Sequence, residues 1–159
     1  MSILIDSSKK LINIDFWYVE EKKNNIIFGF KFIKTAQELE KYKNEGYVIK
    51  DVSNYSDSDE KVIWLLKTTW SRLAWKDQNL LISRSLIKVD DKGTKELDGI
   101  RYRDLKLRMC LKKWNLKNEN GSDIEVNDIN IDNLPFNFGI QLIDGYENVT
   151  EVNNQDLKG

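Results

Sequence analysis

Histidine is missing from the chain altogether, and cysteine and proline each occur once in 159 residues. Each absence closes off a class of chemistry. Without histidine the commonest general base and metal ligand is gone, and with it the Ser/His and Cys/His nucleophile pairs. A lone cysteine, Cys110, cannot form an internal disulfide, and a structural zinc site needs a Cys/His cluster. One proline and eight glycines leave no room for long low-complexity linkers. No apolar run approaches the ~18 residues of a membrane span. The opening Met1-Ser2-Ile3-Leu4-Ile5 is broken by Asp6 and then Lys9-Lys10, so no secretory signal is expected. There is no glycine-rich phosphate loop. The expectation is therefore a chain with no catalytic residue, no cofactor, no metal and no membrane partner.

What is present is a charged, aromatic, β-rich then helix-rich sequence. Hydrophobic residues make up 40% and charged residues 32%, which suits one domain over 1–159 with a sizeable core. Residues 1–69 read as mainly β with one short helix, 70–150 as mainly α, and 151–159 as a polar tail. Strands followed by helices imply an α+β fold, a small antiparallel sheet from the N-terminal half with the C-terminal helices packed on it. The net charge is −1 but unevenly spread: 1–60 carry a net −2, 61–117 a net +9 and 118–159 a net −8. A basic middle beside an acidic end either folds back and neutralises itself or offers opposite faces to two neighbours.

Along the chain, Ile12–Tyr18 and Ile26–Ile33 are aromatic and β-branched around a polar Glu20–Asn25 segment, which predicts a hairpin. Thr35 with Glu38 predicts a capping box for a helix over Ala36–Asn44, ended by Gly46. Tyr47–Val52 reads as a strand, Ser53–Glu60 as a loop and Lys61–Thr69, with Val62-Ile63-Trp64-Leu65-Leu66, as a central strand. Trp75–Ile87 reads as a helix, Asp90–Gly93 as a turn, and Glu96–Leu116 as the longest helix. On that helix Tyr102, Leu105, Met109 and Leu116 form one apolar stripe, and Leu107, Cys110, Leu111 and Trp114 an opposite one. Both stripes require cover, from the same domain or from another chain. Asn120-Gly121 marks a tight turn, Asp123–Val126 an extended piece, Asn127 or Asp128 the cap of a short helix, and Phe136–Glu147 a final helix.

Three fragments imitate chemical motifs. Asp128-Ile129-Asn130-Ile131-Asp132 starts like an EF-hand loop, but Asn133 and Gly139 stand where glycine and a bidentate glutamate are needed. Glu21-Lys22-Lys23 with Asp15 upstream matches only the E-x-K half of a metal-nuclease pattern, and charges beside a hairpin turn need no such explanation. Cys110 sits in an apolar stripe with no base to activate it, as a buried small hydrophobe does. Of the tryptophans Trp17, Trp64, Trp70, Trp75 and Trp114, most belong in a core, with Trp70 or Trp75 placed to anchor an interface. Basic residues interleaved with aromatics over 61–117 invite a nucleic-acid reading, which the overall acidic balance and scattered positions argue against.

Thr69-Trp70-Ser71-Arg72-Leu73-Ala74-Trp75-Lys76-Asp77-Gln78, Leu97–Tyr102, Leu107–Leu116, Glu119-Asn120-Gly121 and Val126 through Leu134-Pro135 together form a pattern of turns and caps. It resembles that of small structural and tail-assembly proteins of tailed bacteriophages. The match spans residues 68–147. In that pattern a helix ending in Trp-Asn or Trp-Asp precedes an acidic-Asn-Gly turn, a short capped helix closing on Leu-Pro, and a last helix. This chain departs from it at Ala74, where Ser or Thr usually caps, and at Gly139 and Gly145. The resemblance implies a non-enzymatic tail or baseplate component, assembled in the host cytoplasm into the virion. Its partners would be other phage virion proteins in a symmetric multi-copy array. The contact residues expected are Trp70, Trp75, Arg101, Arg103, Arg108, Lys112 and Trp114. The competing expectation is a phage-encoded, anti-CRISPR-like inhibitor that binds and blocks a host defence nuclease.

Overall fold

A computed structural model describes Leu11–Glu151; the expected 151–159 tail, apart from Glu151, and the Met1–Lys10 segment lie outside the described residues. Strands β1 (Leu11–Lys23) and β2 (Ile26–Ile33) form the expected hairpin, with Asn24 and Asn25 both at positive φ in the turn. Helix α1 (Ala36–Asn44) starts at Thr35, whose hydroxyl accepts the Glu38 N–H at 3.1 Å, and Gly46 at φ +95° reverses the chain behind it. Strands β3 (Val48–Asp51) and β4 (Val62–Ser71) follow, then α2 (Trp75–Ser85). A small ribbon of β5 (Leu86–Lys88) and β6 (Lys95–Leu97) leads into α3 (Gly99–Cys110), β7 (Leu111–Trp114), α4 (Asp128–Asp132) and α5 (Phe136–Thr150).

The fold is α+β. The main sheet has the order β2-β1-β4-β3, with β7 also paired to β4. Most pairings are antiparallel, but β3 runs parallel to β4, because α1 carries the chain across before it returns. The continuous apolar run of β4 is buried on both faces, as a central strand requires. Ile14, Phe16 and Tyr18 of β1 and Trp64, Leu66 and Trp70 of β4 point to one face, where α3 and α5 supply Leu107, Cys110, Phe138, Leu142, Ile143 and Tyr146. The helices are not confined to that face. On the other side Val19, Ile33 and Ile63 are covered by Leu39 and Tyr42 of α1. α5 approaches the sheet so closely that a Cβ on Gly145 would lie 2.3 Å from the Phe16 ring.

The helix expected over Glu96–Leu116 is shorter than its pattern. Asp98 caps α3, accepting the Ile100 and Arg101 N–H groups at 3.0 and 3.2 Å, so Lys95–Leu97 falls outside and pairs with β5. Ile87, expected in α2, joins that ribbon too. At the other end Leu111 leaves helical geometry and Leu111–Trp114 pairs with β4. β3 covers only Val62–Leu65 of that edge of β4, leaving the backbone beyond it to be satisfied. Ladder bonds to a central strand outweigh the local helix preference. Asn115 bridges the gap between the two partners: its Oδ1 accepts the Lys67 N–H at 2.8 Å, and its Nδ2 donates to Asp51 Oδ1 at 2.8 Å and Leu65 O at 3.2 Å. The Trp114-Asn115 pair thus closes a strand rather than a helix.

Candidate protein-contact surface

The second stripe of α3 is covered within the chain. Tyr102 accepts a hydrogen bond from Gln78 of α2 at 2.9 Å and Met109 packs against the core, while Leu107 and Cys110 are buried on the opposite side. The oppositely charged segments also meet internally. Arg103 pairs with Asp144 of α5, and Arg108 holds Asp104, Asp128 and Asp132 at 3.0, 3.1 and 2.5 Å. Lys106, nearly buried, lies 2.9 Å from Glu151 and 3.6 Å from Glu147, over the Tyr102 ring. Burial opposes its charge, but the Glu151 bond and the neighbouring anions prevail and raise its pKa. The acidic C-terminal third therefore folds back on the basic middle, the first of the two arrangements that the charge distribution allowed.

These ion pairs frame a cleft of about 480 Å³ between α3, α4 and α5. Its floor is apolar, made by Leu107, Ile131, Ile140 and Ile143. On its walls stand Ile100, at the first turn of α3, and Phe136, at the first turn of α5, which are 82% and 83% exposed. Burial of large apolar side chains is the main source of binding energy, so two such residues in water beside an apolar floor mark a contact surface. Gly139 lines the same cleft, with nothing within 4 Å of where its Cβ would be. Arg103 Nε is buried with no hydrogen-bond partner among the described residues. Burial opposes the charge of Arg108, but its carboxylate partners raise its pKa further, so the guanidinium is a fixed cation on the rim.

The residues expected to bind partners divide. Arg103 and Arg108 line the cleft. Trp75, 83% exposed, opens α2, where Ala74 provides no side-chain cap, and Arg101 and Lys112 are exposed on α3 and β7. Trp114 is half-buried, its Nε1 donating to Ile124 O at 2.5 Å. Trp70 is no anchor: it is fully buried, stacked on Tyr146 at 4.7 Å, with Nε1 donating to Thr68 Oγ1 at 2.7 Å. Its place on the inward face of β4 dictates this. Ile100, Phe136 and the four aspartates were not on the sequence-derived list. The one available signal was that Phe136 falls off the apolar stripe of its own helix.

The motif fragments settle into ordinary surroundings. Asp128 and Asp132 are partners of Arg108. Asp15 and Glu21 lie six positions apart on β1, roughly 20 Å along a strand, too far to share one ion. Among the described residues no group of three or more Cys, Asp or Glu is placed to hold a metal, and no helix is long and apolar enough to cross a membrane. Burial raises the pKa of the Cys110 thiol. No protein family, curated protein or solved structure matches this chain.

Proposed function

We propose that this chain is a non-enzymatic structural protein of a bacteriophage tail or baseplate, held in the particle by contacts with other virion proteins. One observation carries the contact-based part of this reading: the cleft whose walls, Ile100 and Phe136, stand in water above an apolar floor. A truncation of either wall residue in a bound interface would cost about 2 kcal/mol or more if it acts as a central anchor. The pattern of caps and turns over residues 68–147 supports the placement in a tail.

Quantitative mass spectrometry of purified particles tests the reading. A structural component is present at a fixed, symmetric copy number. An inhibitor of a host nuclease is absent from particles and co-purifies with the nuclease instead, and that result would replace the present proposal.

A further inference from the structure

We infer that the chain self-associates, the β5–β6 ribbon of one copy lying across the α3–α4–α5 cleft of another. The inference deepens the proposed function by naming a partner for the cleft, a second copy of this chain. Every residue from Leu86 to Leu97 is exposed, including Leu86, Ile87, Val89 and Leu97. Two-stranded ribbons standing free in water are marginal, and both edges of this one lack a neighbouring strand among the described residues. The ribbon is nevertheless formed and aimed. Asp90 Oδ1 accepts the Lys92 and Thr94 N–H groups at its tip, and the Asp98 N–H donates to Ser85 O at 2.9 Å at its base.

Charge selects the cleft as its receptor. Around the cleft, Asp104, Asp128, Asp132 and Asp144 face only Arg103 and Arg108, a local net of −2. Arg84, Lys88, Lys92 and Lys95 on and beside the ribbon form no ion pair among the described residues. The ribbon thus offers apolar side chains with free cations, and the cleft an apolar floor with surplus carboxylates. Donor and receptor adjoin in each copy, because β6 runs through Asp98 directly into the α3 turn that carries Ile100. A surface holding both the projecting part and its socket is what self-complementary contact demands.

Sedimentation equilibrium on the full chain, from micromolar to millimolar concentration, should give a mass above the monomer. Lys88→Glu/Lys95→Glu and Asp128→Lys/Asp132→Lys should each weaken association roughly tenfold or more, and mixing the two variants should restore it. Phe136→Asp changes a side chain exposed in the monomer, so it should abolish association and leave circular dichroism unchanged. A wild-type chain monomeric throughout, association insensitive to Phe136→Asp, or no recovery on mixing the two folded charge variants would each overturn the inference. A monomer in solution that is still found in particles would sink this pairing alone and leave the proposed function standing.

Discussion

Gly139 and Gly145 lie in the same helix, α5, and alanine at the two positions should have opposite effects. Glycine in a helix interior is about 0.8–1.0 kcal/mol less favourable than alanine, so both substitutions begin with a gain. At Gly139, in the first turn and facing the open cleft, nothing lies within 4 Å of the new Cβ. The variant should gain about 0.5 kcal/mol or slightly more. At Gly145 the Cβ would fall 2.3 Å from Phe16 Cε1 and 2.7 Å from Cζ. Phe16 is buried and packed edge-on against Phe32 at 5.9 Å, so its ring has little room to yield. Overpacking of this kind costs about 1–3 kcal/mol, which cancels or outweighs the helix gain. The two variants should therefore differ by about 1–3 kcal/mol, or roughly 2–10 °C in Tm for a chain of this size. Urea denaturation of both, followed by Gly145→Ala combined with Phe16→Leu, isolates the clash. The penalty at Gly145 should shrink beside the smaller leucine. Equal stability of the two alanine variants, or a penalty unchanged by Phe16→Leu, would refute the packing of α5 on β1.

Further outcomes follow from the same structure. Trp70→Ala should cost about 3–5 kcal/mol by thermal or urea denaturation, whereas Trp75→Ala should stay within about 0.5 kcal/mol of wild type. Asn115→Ala removes three hydrogen bonds that tie β4 to the end of β3, and should cost about 2–3 kcal/mol by the same measurement. For Asp51, burial pushes the pKa up, but donors from the Ser53 hydroxyl and N–H, with Asn115 and Lys67, outweigh it and hold the carboxyl below its ordinary 3.8. A lowered folded pKa gives stability that is present above 3.8 and lost as pH falls through the folded value. Asp51→Asn should therefore flatten the loss of stability below that pH, read from denaturation curves across the acid range.

Local signals predicted local structure well. Thr35 with Glu38, Asn24-Asn25, Gly46 and Asn127 all act where their side chains or backbone freedom placed them, because caps and turns depend on neighbours in sequence. The α+β architecture followed from the order of strand and helix patterns. The errors lie where a distant partner decides. Leu111–Trp114 fits a helical stripe, but the uncovered edge of β4 draws it into the sheet. Trp70 reads as a possible anchor until its register against Ile12 of β1 turns it inward. At the candidate surface, Arg103 and Arg108 were legible as basic residues between apolar stripes. The aspartates that hold them, and the walls Ile100 and Phe136, come together only through the packing of α3 against α4 and α5. Gly139 and Gly145 looked like blemishes in the last helix, yet one opens the cleft and the other admits the Phe16 ring.

The most direct measurement is the copy number of this chain in particles assembled with the wild-type protein and with Phe136→Asp, both confirmed as folded in isolation. A contact-building role predicts a fixed copy number for the wild type and its loss, in whole or large part, for the variant. Absence of the wild-type chain from the particles, or equal retention of the two, would contradict it.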